Sequence, residues 1–386
     1  MSNTQTKNVP ELRFPGFEGE WEEKKLEDII KVNSGKDYKH LDKGDIPVYG
    51  TGGYMTSVSE PLSEIDAVGI GRKGTINKSY LLEAPFWTVD TLFYCTPKKE
   101  TDILFILSLF RKINWKVYDE STGVPSLSKQ TINKINRFVP TNKEQQKIGK
   151  FFSKLDRQIE LEEQKLELFQ QQKKGYMQKI FSQELRFKDE SGNDYPDWEE
   201  KELGEVADRV IRKNKNFESK KPLTISGQLG LIDQTEYFSK SVSSKNLENY
   251  TLIKNGEFAY NKSYSNGYPL GAIKRLTRYD SGVLSSLYIC FSIKSEMSKD
   301  FMEAYFDSTH WYREVSGIAV EGARNHGLLN ISVNDFFTIL IKYPSLEEQR
   351  KIGDFFIKLD RQIELEEQKL ELLQQRKKAL LKSMLI

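Results

Sequence analysis

Apolar residues in the middle of the chain fall at Ile148, Phe152, Leu155, Ile159, Leu166, Phe169, Tyr176 and Ile180, alternating steps of four and three apart from two polar interruptions, Glu162 and Lys173. That spacing predicts a long helix with a coiled-coil seam. The same series returns at Ile352, Phe356, Leu359, Ile363, Leu370, Leu373, Leu380 and Met384, interrupted at Glu366 and Lys377. Neither stretch contains proline, and Gly149, Gly175 and Gly353 lie near the ends, so two helical rods are expected.

The rods are copies: Leu155–Leu168 recurs unchanged as Leu359–Leu372. A weaker echo precedes each half, Glu11-Leu12-Arg13-Phe14 with Trp21, then Glu184-Leu185-Arg186-Phe187 with Trp198. The unit is too long for a solenoid. Between the copies the sequence is not repeated, except where Ser128 and Ile132 ahead of Pro140 are echoed by Ser332 and Phe336 ahead of Pro344. The chain therefore reads as two near-identical rods and two different heads.

Polar seam residues are costly against leucine unless paired. An antiparallel pairing of the rods that sets Glu162 opposite Lys377 and Lys173 opposite Glu366 meets that need, and it also stacks Leu155 on Met384, Leu166 on Leu373 and Tyr176 on Ile363. A parallel homodimer would oppose Glu to Glu. Two antiparallel rods related by a pseudo-two-fold carry heads at opposite ends. At 1.5 Å per residue each rod is roughly 57 Å long, enough to hold two heads about one turn of B-DNA, some 34 Å, apart.

A chain of 386 residues accommodates two ordinary domains. Cys95 and Cys290 sit in separate apolar, strand-like runs and read as reduced core residues. His40, His310 and His326 are scattered and form no metal cluster by themselves. Neither a signal-peptide core nor a transmembrane run is evident, so a cytoplasmic protein without membrane contact is expected. The formal net charge of +2 hides an uneven distribution. Residues 209–221 hold six Lys and Arg against a single acid; 262–278 are basic, free of acids and interleaved with tyrosine; 69–80 are basic and Gly-rich, while the rods are dense in Glu. Such loops suit a polyanion, Lys and Arg contacting phosphates while Asn, Arg and Tyr read base edges; a solvated loop face is the competing reading.

Gly69, Gly71 and Gly74 match a dinucleotide fingerprint, but a β-branched, strand-like stretch follows where a helix should open. Pro196-Asp197 with Glu200 and Lys201 is too tightly spaced for a nuclease metal site. P-loop, nucleophile-elbow and adenine-methyltransferase motifs are missing too. The chain reads as a non-catalytic binder that supplies an address to another protein's chemistry.

Pro140 with Glu144-Gln145-Gln146-Lys147-Ile148, and Pro344 with Glu348-Gln349-Arg350-Lys351-Ile352, form two like junctions one repeat apart. With variable heads and long helices, this organisation resembles the specificity subunit of type I restriction-modification systems over essentially the whole chain. The resemblance implies mixed α/β heads acting as target-recognition domains, at 1–142 and 182–346, and conserved spacer helices at 143–181 and 347–386. It implies a bipartite double-stranded DNA site, one half per head. It also implies two methyltransferase (modification) subunits and restriction subunits, with S-adenosylmethionine, ATP and magnesium on those partners and no cofactor in this chain. Alternatives are a stand-alone DNA-binding regulator with two modules and a coiled-coil adaptor that binds only proteins.

The residues expected to touch DNA in the first head are Tyr54, Arg72, Lys73, Thr75, Asn77 and Lys78. In the second they are Asn261, Lys262, Tyr264, Asn266, Lys274, Arg275, Arg278, Arg324 and Asn325.

Overall fold

A computed structural model describes residues 8–227, 229–238, 247–263, 267–319 and 329–386. They fall into two compact units, Met1–Lys165 with Glu366–Ile386, and Leu166–Leu365. Each unit takes one head and a stretch of both rods.

In the first unit β1 (Glu22–Lys25) leads through the single turn α1 (Leu26–Ile29) into β2 (Ile30–Ser34). The hairpin β3 (Ile46–Gly50) and β4 (Gly53–Val58) follows, then β5 (Ala67–Gly71), β6 (Tyr80–Leu82), β7 (Trp87–Thr88) and β8 (Leu92–Pro97). Helices α2 (Ile103–Lys112) and α3 (Lys129–Lys134) precede β9 (Asn136–Val139), which pairs antiparallel with β1 and closes the head on its own beginning. The main sheet has the order β2-β8-β5-β6, and a smaller sheet the order β4-β3-β7. α2 packs Phe105, Ile106, Leu109 and Phe110 in one core with Val68 and Ile70 of β5, while Ala67 packs with Leu82, Phe86 and Leu92 in another, so the small-residue strand β5 is buried throughout. From there the chain enters α4 (Asn142–Phe181).

The second unit begins with β10 (Glu199–Glu202), α5 (Leu203–Val206) and β11 (Ala207–Arg209). The hairpin β12 (Leu223–Ser226) and β13 (Gly230–Asp233) leads to α6 (Gln234–Phe238), β14 (Thr251–Lys254), β15 (Phe258–Asn261), β16 (Ala272–Arg275), β17 (Ser281–Leu284) and β18 (Tyr288–Ile293). Helices α7 (Lys299–Asp307), α8 (Tyr312–Ile318) and α9 (Val333–Phe337) precede β19 (Leu340–Tyr343), which closes on β10, and then α10 (Leu346–Met384).

The heads differ in sequence yet share a layout. The sheet order β11-β18-β15-β16 repeats that of the first head. The parallel contact of Pro222 with Val283 stands where β3 meets β7. Trp115 Nε1 donates to the Phe110 carbonyl at 2.8 Å and Trp311 Nε1 to that of Phe306 at 2.9 Å. Cys95 lies opposite Val68 and Cys290 opposite Ala259, both buried and free. Burial raises both thiols, that of Cys290 to about 12.

The repeated motifs meet each other within each unit. Arg13 grips Glu144 through Nε and Nη2, both at 2.7 Å, and Arg186 grips Glu348 at 3.3 and 2.6 Å. Phe14 meets the edge of Phe151 at 5.5 Å, and Phe187 that of Phe355 at 5.6 Å. Gln145 donates to the Pro140 carbonyl and accepts from the N–H of Asp102, the residue that caps α2; Gln349 does the same with Pro344 and Ser298, which caps α7. Gly149 and Gly353 let those helix starts approach so closely that a Cβ would strike the N–H of Phe105 or Phe301. The junction motif is thus a clamp that fixes each head to its rod.

Within each unit the segments of α4 and α10 run antiparallel, but not in the expected register. Glu162 pairs with Lys369 at 2.6 Å and Lys165 with Glu366 at 2.5 Å, instead of Glu162 with Lys377 and Lys173 with Glu366. Lys377 pairs with Asp156, and Lys173 with Asp360. Tyr176 meets Phe355 at 5.1 Å, not Ile363. The pairing is displaced by about one heptad. Lysine side chains at flanking positions reach the seam carboxylates, so Glu162 and Lys173 do not need each other's copies. The heads hold the ends: Leu381, Met384 and Leu385 join the core of the first, and Ile352 and Phe356 that of the second.

Candidate nucleic-acid interface

The connection from β5 to β6 carries most of the first head's candidates. Its backbone is pinned. A Cβ on Gly71 would collide with the Thr75 carbonyl, and Gly74, at φ +85°, donates its N–H to the Pro125 carbonyl at 2.8 Å. The Arg72 carbonyl accepts from the N–H of Leu127 at 2.9 Å. With the main chain fixed, Lys73, Thr75, Asn77 and Lys78 project into solvent. Arg72 is half-buried, its guanidinium 5.8 Å from the Phe93 ring centre and 3.4 Å from the Asp90 carbonyl. The acids in the neighbouring 119–126 segment are engaged locally. Asp119 accepts from the N–H groups of Ser126 and Ser121, which hold its carboxyl below the usual range, and Glu120 takes the hydroxyls of Thr131 and Ser128 with the same effect. Both acids stay ionised but are held by neutral donors of their own segment, and no ion pair joins them to Arg72, Lys73 or Lys78 among the described residues.

Tyr54 belongs to the same surface. The β3–β4 hairpin exposes Tyr54 by 64% and Met55 by 53%. Tyr49 links that hairpin to the loop, its ring 6.4 Å from Tyr54 and 6.1 Å from Tyr80. The Tyr80 hydroxyl donates to the Gly50 carbonyl at the end of β3 at 2.5 Å.

In the second head Asn261 ends β15 and Lys262 opens the equivalent connection to β16. Asn261 Oδ1 accepts from the N–H of Ser263, and Lys262 Nζ lies 3.3 Å from the Ile331 carbonyl. Tyr268, in the same connection, donates to the Gly227 carbonyl beyond β12 at 2.9 Å. Arg278 is half exposed, beside Glu236 at 3.4 Å. It borders an open groove in which Lys220 and Lys221, from the basic stretch read in the sequence, stand with the acids Glu218, Asp233 and Asp280, Lys221 lying 3.5 Å from Asp233. Tyr264, Asn266, Arg324 and Asn325 lie outside the described residues.

Two candidates are withdrawn. Lys274 sits 2.6 Å from Asp307, and Arg275 sits 2.5 Å from Asp300 and 3.2 Å from Glu303, all on α7. Burial works against the Lys274 charge, but Asp307 more than offsets it and raises the pKa; burial pushes the Glu303 carboxyl up against the pull of Arg275. These cations hold α7 on the sheet. A basic pair in a strand gives no sign of acids on a later helix, which is why the sequence could not separate them from DNA contacts. The exposure of Met55 and Leu229, 53% each, and the bonds of Tyr80 and Tyr268 to the hairpins carry no signal in the sequence, since they depend on hairpin pairing.

Among the described residues no His, Cys, Asp and Glu cluster could hold a metal ion, and no helix is long and apolar enough to cross a membrane.

The family model of the type I restriction modification DNA specificity domain matches residues 18–170 and again 195–375. The type I restriction enzyme MjaVIII specificity subunit of Methanocaldococcus jannaschii is 25% identical over 343 residues, 84% of this chain and 76% of that protein. In fold the chain is similar to the crystal structure of the type I restriction-modification system S subunit from M. genitalium, with a TM-score of 0.66 at 16% identity over 98% of this chain and 99% of that one. Two matches to one domain, each taking in a head and much of the helix after it, show that this chain belongs to the type I restriction-modification DNA specificity family.

Proposed function

We propose that the chain acts as the specificity subunit of a type I restriction-modification complex and performs no chemistry itself. Each head reads one half of a bipartite duplex site, and the lengths of α4 and α10 set the gap. The observation that carries this reading is the recurrence of one contact, a tyrosine beside the polar connection bound to a glycine carbonyl of the hairpin, in two heads whose exposed residues differ. One reader geometry bearing two sets of contact residues suits two different half-sites. Two modification subunits would bind along the rods and restriction subunits would join them, with S-adenosylmethionine, ATP and magnesium held by those partners in the cytoplasm.

Mapping of DNA methylation in cells with and without this chain tests the reading. A bipartite motif should be methylated only when the chain is present, and a tagged chain should retain a methyltransferase subunit in a pull-down. Unchanged methylation on deletion, or duplex affinity that ignores salt, would refute it.

A further inference from the structure

In both heads a tyrosine hydroxyl, at the end of the polar connection or within it, is hydrogen-bonded to a glycine carbonyl of the neighbouring hairpin. In the first, Tyr80 at the start of β6 binds Gly50. In the second, Tyr268 within the β15–β16 connection binds Gly227. The two tyrosines stand at different places along their connections, so the shared bond is not a by-product of a shared sequence. Each hairpin also presents a large exposed apolar residue, Met55 of β4 beside Tyr54 in one case and Leu229 of the turn in the other. Gly227 lies flat against Tyr268, with no room for a Cβ before the ring.

Gly50 is buried and Gly227 half-buried, so each tyrosine supplies a partner to a carbonyl with limited access to water, and a single hydrogen bond still adds little to the stability of a unit this large. Its effect is geometric. It fixes the distance between the loop, which carries cations and amides, and the hairpin, which carries an apolar contact residue. Base-edge readout depends on such distances, because a displaced donor loses its partner.

We propose that Tyr80 and Tyr268 are positioning residues for sequence recognition, each fixing its hairpin at Gly50 or Gly227 against the strand connection beside it. The inference rests on the reading of the heads as DNA readers. The test maps methylation by the complete complex carrying the wild-type chain, Tyr80→Phe, Tyr268→Phe or Gly227→Ala. Tyr80→Phe should lower base preference about tenfold at positions of one half-site and leave the other half-site and the gap unchanged. Tyr268→Phe should act on the opposite half-site, and Gly227→Ala, which displaces the Tyr268 ring, should reproduce it. The purified variants should melt within about 4 °C of wild type, as expected for one lost hydrogen bond. If the wild type itself yields no bipartite motif, the reading of the heads fails and takes this inference with it. If the wild-type motif is present and the variants keep every base preference, or lose methylation without a change confined to one half-site, the positioning role alone is overturned.

Discussion

Removing the Arg13 guanidinium isolates the Glu144 carboxylate, whose side chain is only 1% exposed. Breaking a buried pair from one side costs about 3–5 kcal/mol, because the remaining charge keeps its desolvation penalty. Arg13 is 17% exposed, so water partly replaces it and the lower end applies. Arg13→Met should therefore destabilise the first unit by about 3 kcal/mol, a fall of roughly 6–12 °C in melting temperature for a unit of this size. Arg13→Met with Glu144→Met removes both charges and should recover to within about 1 kcal/mol of wild type. Urea denaturation of the four members of the cycle, followed by tryptophan fluorescence, measures the coupling. The copy at Arg186 and Glu348, with Glu348 fully buried, supplies an independent repeat. A loss below about 1 kcal/mol in the single variant, or a double variant no better than the single, would show that the clamp is held by Gln145 and the aromatic contacts instead.

Three further outcomes are expected. Joint alanine substitution of Arg72, Lys73 and Asn77 should weaken cognate binding and flatten its salt dependence; Arg275→Ala should instead cost about 2 kcal/mol of stability and leave the salt slope alone, as equilibrium binding and denaturation would show. A short thiol cross-linker should join cysteines introduced at Glu162 and Lys369 but not at Glu162 and Lys377; the reverse would restore the register read from the sequence. The folded Cys290 thiol keeps its proton to about 12 while the unfolded thiol loses it near 9, so the stabilising contribution is full below pH 9 and falls as pH rises toward 12. Cys290→Ala should flatten that decline in denaturation curves taken from pH 8 to 11.

The rods were legible because a helix writes its buried face at fixed spacing, and because a repeated sequence announces repeated structure. Their register was not. The seam alone pointed to Glu162 and Lys377, whereas flanking residues such as Lys369 reach inward and the heads fix the ends. The common layout of the heads was hidden for a different reason. Ala67–Gly71 and Phe258–Asn261 share no residue pattern, yet both serve as the buried strand between equivalent neighbours, a role met by any apolar set that α2 or α7 can cover. Loops 72–78 and 261–262 were visible as polar runs. Whether a particular cation faces solvent or an acid elsewhere in the fold, as for Lys78 against Lys274, is a property of tertiary placement.

One contact shows how an unchanged rod can carry different heads. Arg111 on α2 and Asp307 on α7 occupy the same position relative to the helix caps and the tryptophan that follows, but they carry opposite charge. Each lies against a copy of the same rod pair. In the first unit Asp156 is paired with Lys377, and Arg111 binds the aspartate. In the second Asp360 is paired with Lys173, and Asp307 approaches the lysine at 3.8 Å. Because the rod presents a carboxylate and an ammonium side by side, a head with either sign at this position finds a partner and neither is left facing a like charge. Glu144, Gln145 and Gly149 ask for equally little from a head: an arginine before its first strand, a capped helix start and close backbone approach. None of these rod contacts draws on the loops between β5 and β6 or between β15 and β16. Those loops are free to differ between the heads, as the β5–β6 and β15–β16 connections do.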